Sequence, residues 1–196
     1  AQIQRFVDHR PAQVGIDQQY PGALLRQHDG GIAQPLAMLG AEAPLRFVVI
    51  GGKAPAIPNV DVVELPWQEN TEVELINTFD VGIMPLPDDD WARGKCAFKL
   101  IQYMACGVPV VASQVGANVD VVDADCGLLA RTPETWAQSL RTLRDDSGLR
   151  RRMGEAAGGV RKQYLELLQD TLHKVYLEIL EKEITRAFVY SYEEQA

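Results

Sequence analysis

Lys95, Lys99, Gln102 and Cys106 follow one another at spacings of four, three and four. That repeat puts side chains on one face of an α-helix, with Phe98, Ile101 and Ala105 turned to another. The spacing predicts a helix that begins near Lys95 and stops at Gly107. Two lysines in its first turns sit where the helix dipole is positive, at a cost of roughly a few tenths of a kcal/mol. The placement is easier to understand if an anion sits among them, joined by the open amides of the helix N-terminus. Gly94, just ahead, permits close backbone approach. A phosphate or diphosphate is the natural anion. The competing reading pairs the same lysines with Asp88, Asp89 and Asp90 in the preceding loop, and residue types alone leave the two readings even.

The elements that must hold this face come from the surrounding pattern. Val81 to Met84 reads as a short apolar strand, followed by a loop rich in Pro and Asp, the helix, and a second strand from Val108 to Ala112. That is a βαβ unit with an elaborated loop. Ahead of it, Ala12 to Ile16 reads as a strand, Gly22 to Gln27 as a helical turn and Ile32 to Ala41 as a helix. Leu45 to Ile50 and Val60 to Leu65 are further strands, the first ended by Gly51 and Gly52. Glu69 to Thr78 reads as a helix with Val73, Leu75 and Ile76 among its apolar positions. Beyond the unit, Gly127 to Ala130 is a last short strand. Thr132 then caps a helix with Pro133 at its first position and Trp136, Leu140 and Leu143 inward. Another helix starts at Asp146 or Ser147.

Strands alternating with helices at this spacing predict an α/β fold, a Rossmann-like, doubly wound, mainly parallel sheet. Ligands in such sheets sit at the carboxyl ends of the strands. Gly51, Gly52 and Lys53, then Pro66 and Trp67, then Pro85, Leu86 and Pro87, and finally Ser113 to Gly116 therefore belong on one rim. Trp67 there either stacks on a nucleobase or fills the core. From Gln163 onward Leu165, Leu168, Leu172, Val175, Ile179 and Ile184 lie near a helical stripe. The organisation expected is a domain over 1–164 and a long amphipathic C-terminal helix over 165–196. That helix packs across its own domain, or it docks onto a second domain or a second copy of the chain.

Composition excludes some partners. Among 196 residues the net charge is -8, with 46% hydrophobic and 23% charged residues. An acidic chain does not offer a nucleic-acid surface. No apolar run approaches the ~20 residues of a transmembrane helix, and the N-terminus carries no signal-peptide core. Cys96, Cys106 and Cys126 read as buried free thiols of a cytoplasmic protein. His9, His28 and His173 are scattered, and no grouping has metal-ligand spacing. Ser113 lacks the surroundings of a hydrolase nucleophile.

The run PLPDDDWARGKCAFKLIQYMACGVPVVAS resembles the nucleotide-sugar-binding, C-terminal half of retaining GT-B glycosyltransferases of the family 4 type. Met104 to Gly107 and Pro109 to Ser113 carry the closest match. LRFVVIGG, FDVGIMPL, GLLARTPETWAQSL and LRRRMGEAA fit the same order, so the likeness runs from about Leu45 to Tyr164. The resemblance implies a nucleoside-diphosphate sugar as substrate, no further cofactor, and donor contacts at Gly51, Gly52, Trp67, Pro85, Leu86, Gly94, Lys95, Lys99 and Gln102. It also exposes two departures. A family glutamate that contacts the donor sugar falls on Gly94, and one that binds the ribose hydroxyls falls on Gln102, whose amide can still bond a hydroxyl.

The function these readings imply is the donor-binding domain of a glycosyltransferase, moving a sugar from a nucleoside diphosphate to an unknown acceptor. The catalytic residues stay unassigned. An N-terminal acceptor domain is missing from a chain of this length, so turnover alone is not expected. The alternative is a non-catalytic GT-B-like module that acts by protein-protein association. An epimerase of related fold would need carboxylates and histidines that the sequence does not place.

Overall fold

The structure, a computed structural model, describes residues 11–17 and 31–157. The chain divides into two compact units, Ala1–Gly158 and Gly159–Ala196. The described residues belong to the first. The helical turn expected over Gly22 to Gln27, the amphipathic C-terminal helix and the three histidines lie outside them.

The first unit alternates strands and helices. Its elements are β1 (Ala12–Asp17), α1 (Ala33–Glu42), β2 (Leu45–Ile50), β3 (Val60–Leu65), α2 (Glu72–Ile76) and β4 (Val81–Met84), then α3 (Asp90–Arg93), α4 (Phe98–Ala105), β5 (Val110–Ser113), α5 (Asn118–Val121), β6 (Gly127–Ala130) and α6 (Pro133–Asp145). A further helical run covers 147–157. The strands form one sheet in the order β3-β2-β1-β4-β5-β6, and every pairing is parallel. This is the doubly wound Rossmann-like arrangement, in which the winding reverses between β1 and β4. Central strands covered on both faces need continuous apolar runs. Phe47, Val49, Ile50, Ile83, Val110 and Val111 are accordingly at 0% exposure.

On one side of the sheet α1 and α6 pack against it through Leu36, Leu39, Leu140 and Leu143. Arg141 and Arg144 of α6 both reach Glu42 at the end of α1 and tie the two helices at their exposed edge. Thr132 and Thr135 form the N-terminal capping box of α6, with Pro133 in its first turn, the start expected from that motif.

Several boundaries differ from the expected ones, each for a local reason. α2 is shorter than Glu69 to Thr78 because the amides of Thr71 and Glu72 both turn back to the Gln68 carbonyl before the helix begins. Val73, expected among its apolar positions, is exposed, while Ile76 is buried. α4 starts at Phe98 and not at Lys95. Asp89 caps an extra turn, α3, by accepting from the Ala92 amide at 2.7 Å, and Ala97 then takes a left-handed φ of 55° that breaks the path. β5 begins at Val110 because Val108 donates to the Tyr103 carbonyl, and Gly107, at φ 66°, to that of Met104. Together these bonds close α4 in a Schellman motif. Cys96 is exposed in the α3 to α4 connection rather than buried; Cys106 is half-buried and Cys126 buried. Among the described residues no helix is long and apolar enough to cross a membrane.

Candidate functional site

The reversal point is built around two glycines. Gly15 of β1 and Gly82 of β4 face each other in register. A Cβ on Gly15 would lie 2.3 Å from the Phe79 ring, and one on Gly82 2.6 Å from the Tyr103 ring. The missing side chains let Phe79 and Tyr103 rest on the strands, edge to face at 6.1 Å. Tyr103 is fully buried, and its hydroxyl reaches the last residue of β1, accepting from the Asp17 amide at 2.7 Å.

Around that hydroxyl a polar cluster closes. The Asp17 side chain is 0% exposed, and its Oδ2 accepts from Lys99 Nζ at 2.7 Å. Lys99 also donates to Glu72 Oε1 at 2.9 Å. Trp67 Nε1 donates to the same oxygen at 3.1 Å, and Gln102 Nε2 to Glu72 Oε2 at 3.3 Å. Glu72 is therefore the hub, reached by groups from the β3 exit and from two turns of α4. Among the described residues Asp17 Oδ1 and Gln102 Oε1 accept no hydrogen bond. A buried acceptor left in that condition, as Gln102 Oε1 is, costs about 1–3 kcal/mol.

The carboxyls divide the charge unequally. Burial, then the hydrogen bond with Glu72, pushes Asp17 up to about 7 against the pull of Lys99. Glu72 is held down to about 2, first by the hydrogen bond from Asp17 and then by Lys99 and Trp67. Burial and the neighbouring Glu72 therefore favour a protonated, neutral Asp17. With that proton in place Lys99 and Glu72 balance. Burial also drives the Tyr103 hydroxyl far above its usual range, so it stays protonated.

The acidic loop does not compete for Lys99. Asp88 pairs with Arg93 at 2.8 Å and Asp89 caps α3. Lys95 stands apart from Lys99 because it precedes α4, and its Nζ lies 3.8 Å from the centroid of the exposed Trp91 ring. Burial lowers its pKa. Gly94 closes α3 at φ -78° and ψ -2°, an ordinary right-handed conformation. A Cβ there would meet nothing nearer than the Trp91 carbonyl at 3.5 Å. The position does not require glycine. In α4 the amides of Leu100 and Ile101 turn back to the Ala97 carbonyl. Those of Phe98 and Lys99 have no backbone partner among the described residues.

The remaining rim residues serve the strand ends. Gly51 follows β2 at φ 72° and donates to the Leu65 carbonyl at 2.8 Å, and Gly52 is half-buried beside it. Pro85 and Leu86 leave β4 buried, and the Leu86 amide donates to Ser113 Oγ at 2.8 Å. Ser113 is thus a buried acceptor that joins two strand exits. Among the described residues no hydrogen bond links these four to the Lys99 cluster. Of the residues expected to contact a donor, the structure brings Trp67, Lys99 and Gln102 together. Asp17 and Glu72 complete the group, and sequence reading missed both. The available signal was weak: both are acidic residues at element ends, Asp17 closing β1 and Glu72 opening α2. No group of three His, Cys, Asp or Glu side chains suited to a metal ion occurs among the described residues.

Known proteins agree with this fold. The C-terminal domain of LpcC, a glycosyl transferase group 1 family protein from Francisella tularensis, matches at a TM-score of 0.59 and 17% identity over 78% of this chain and 86% of that one. HepE of Anabaena, solved in complex with UDP-glucose, matches at 0.54 and 17%, over 82% of this chain and 49% of HepE. Among curated proteins, a GDP-mannose-dependent alpha-(1-6)-phosphatidylinositol dimannoside mannosyltransferase of Mycobacterium tuberculosis H37Ra is 29% identical over 122 residues, 62% of this chain and 30% of that protein. A D-inositol 3-phosphate glycosyltransferase of Salinispora arenicola is 27% identical over 146 residues, 69% of this chain and 31% of its own length. The chain thus spans under a third of these two curated relatives. A profile described as PrkA serine protein kinase C-terminal domain matches residues 135–196, a stretch that includes the whole second unit. The profile described as Glycosyl transferases group 1 matches residues 32–146, more than half of the chain, and the chain belongs to that family.

Proposed function

We propose that the first unit is the donor-binding domain of a glycosyltransferase. It holds a nucleoside-diphosphate sugar whose sugar passes to an acceptor bound elsewhere. The observation that carries this reading is the junction of α3 and α4 beside the β1 and β4 reversal. There Lys95 and the two unpaired amides of α4 offer donors to an anion at a helix N-terminus, the chemistry that suits a diphosphate. The solved structure of HepE with UDP-glucose, which shares the fold, supports the same reading. Gln102, with a buried carbonyl oxygen lacking a donor, suits a ligand hydroxyl. Gly51, Gly52, Trp67, Pro85, Leu86 and Gly94 shape the rim around the nucleotide.

Lys99 takes a different part from the one its helical position suggests. It is already engaged by two carboxylates, so its first role is to keep Asp17 and Glu72 together beneath the site. Lys95 makes no ion pair among the described residues and is the cation available to a phosphate. Titration calorimetry of the full chain with UDP, GDP and ADP and their sugars tests the reading. One nucleotide should bind, and Lys95→Ala should weaken it roughly tenfold, with a smaller dependence on salt. Absence of heat from every nucleotide, or affinity unchanged in Lys95→Ala, overturns it.

A further inference from the structure

The cluster beneath the site contains one relation that the proposed function does not require. Gln102 gives its amide nitrogen to Glu72 at 3.3 Å. Glu72 spends its other oxygen on Lys99 and Trp67. The single cation of the cluster is shared between Glu72 and a wholly buried Asp17. The groups that face Glu72 are therefore Asp17 of β1, Trp67 of the β3 exit, and Lys99 and Gln102 of α4, with the Tyr103 hydroxyl behind Asp17.

We propose that Glu72 is the positioning residue for Gln102. It demands a neutral amide there and turns that amide so that its carbonyl oxygen is left for a ligand's donor. The argument is one of charge and of donor count. A carboxylate at 102 has no hydrogen to give Glu72 and would bring a third acid to a cluster with one lysine. Like charges at about 3 Å in a site shielded from water repel strongly. One of the acids must then take up a proton, and the cluster works only at acidic pH. An amide satisfies Glu72 without charge. It also leaves Oε1, buried and without a partner, facing no competing donor among the described residues. Position 102 and position 72 thus form a matched pair, in which acid at one requires amide at the other. The role of Oε1 toward a ligand rests on the donor-site reading; the pairing itself does not.

The test is a charge swap in the full chain. Gln102→Glu, Glu72→Gln and the double variant Glu72→Gln/Gln102→Glu are unfolded in urea near pH 5.5 and near pH 8, followed by tryptophan fluorescence. Gln102→Glu should lose stability mainly at the higher pH, where the added acid must ionise. The swapped double variant should recover most of that loss. Nucleotide affinity, measured with UDP and GDP, should follow the same pattern, falling about tenfold or more near pH 8 in Gln102→Glu and returning in the double variant. Gln102→Glu as stable as the unaltered chain at both pH values overturns the pairing. So does an equal loss at both, or a loss or failure to fold that the swap does not rescue. If the unaltered chain binds no nucleotide, the donor-site reading falls while the unfolding measurements still decide the pairing.

Discussion

Asp17→Asn isolates the proton that the cluster holds. In the folded chain Asp17 is pushed up to about 7, from an unfolded value of 3.8. For an acid with a raised pKa, the stabilising contribution is whole below the unfolded value and disappears as pH climbs through the folded one. Between about pH 5 and pH 7 the folded chain keeps a proton that the unfolded chain has released. Each such proton changes stability by about 1.4 kcal/mol per pH unit. The unaltered chain should therefore lose on the order of 3 kcal/mol across this window. Glu72 does not mask the effect. Held down to about 2, it contributes above its unfolded 4.5 and loses that contribution only as pH falls toward 2.

Asparagine at 17 resembles the protonated acid in shape. Its carbonyl can accept from Lys99 and its amide can donate to Glu72. The variant and the unaltered chain should be close in stability near pH 5. Near pH 7.5 the variant should be ahead by about 2–3 kcal/mol, or about 5–10 °C in melting temperature. Urea unfolding by tryptophan fluorescence is the assay, because Trp67, Trp91 and Trp136 all lie in the first unit. Taking the difference between the two proteins at each pH removes contributions from groups they share, the histidines included. A difference that does not change between pH 5 and pH 7.5 would refute the shared proton.

Two further substitutions bear on the support beneath the site. Tyr103→Phe leaves the buried Asp17 amide without its acceptor, and should lower stability by about 1–3 kcal/mol at every pH below the hydroxyl's own titration. An unchanged urea midpoint would mean that the bond contributes nothing. Gly94→Ala is expected to be harmless or slightly stabilising, by up to about 1 kcal/mol, because the backbone there is right-handed and the space is open. It should also leave nucleotide affinity intact, and a loss of binding would show that a ligand passes within a methyl group's reach of that position.

The fold was legible because its signals are local and strong. β2, β4 and β6 are apolar runs, and β3 at the sheet edge sets Val and Leu among Asp61 and Glu64; each is closed by Gly, Pro or a polar residue and begins and ends where the pattern says. The helix start at Thr132 and Pro133 is equally local. The region around Lys95 was misread because its structure depends on one capping side chain and one left-handed residue. Asp89 winds α3 and Ala97 resets the chain before α4. A helical spacing of polar residues was carried through both. Asp17 and Glu72 were missed for a different reason. They lie 55 positions apart and meet only because the winding puts the end of β1 beside α2 and α4. Nothing in either neighbourhood marks a buried acid. The Gly15 and Gly82 pair was likewise invisible, since its purpose is to admit two rings contributed by Phe79 and Tyr103.

These placements decide how the two lysines differ. Lys99 lies within 2.9 Å of two carboxylates, and its side chain is only 15% exposed. An incoming phosphate would have to share it with acids already in contact, and each ionised acid opposes the phosphate charge. That opposition is least when Asp17 keeps its proton, because Lys99 and Glu72 then cancel. Anion binding at this edge should accordingly be strongest below about pH 7, where Asp17 is neutral, and weaken as pH rises through that value. Lys95 makes no contact with those acids, its Nζ lying over the Trp91 ring, so its part is removed separately by Lys95→Ala. Calorimetry of UDP against pH separates the two contributions. A loss of affinity above neutrality that survives in Lys95→Ala but vanishes in Asp17→Asn assigns it to the buried cluster. A loss that survives in Asp17→Asn would assign it elsewhere and leave the cluster a purely structural support.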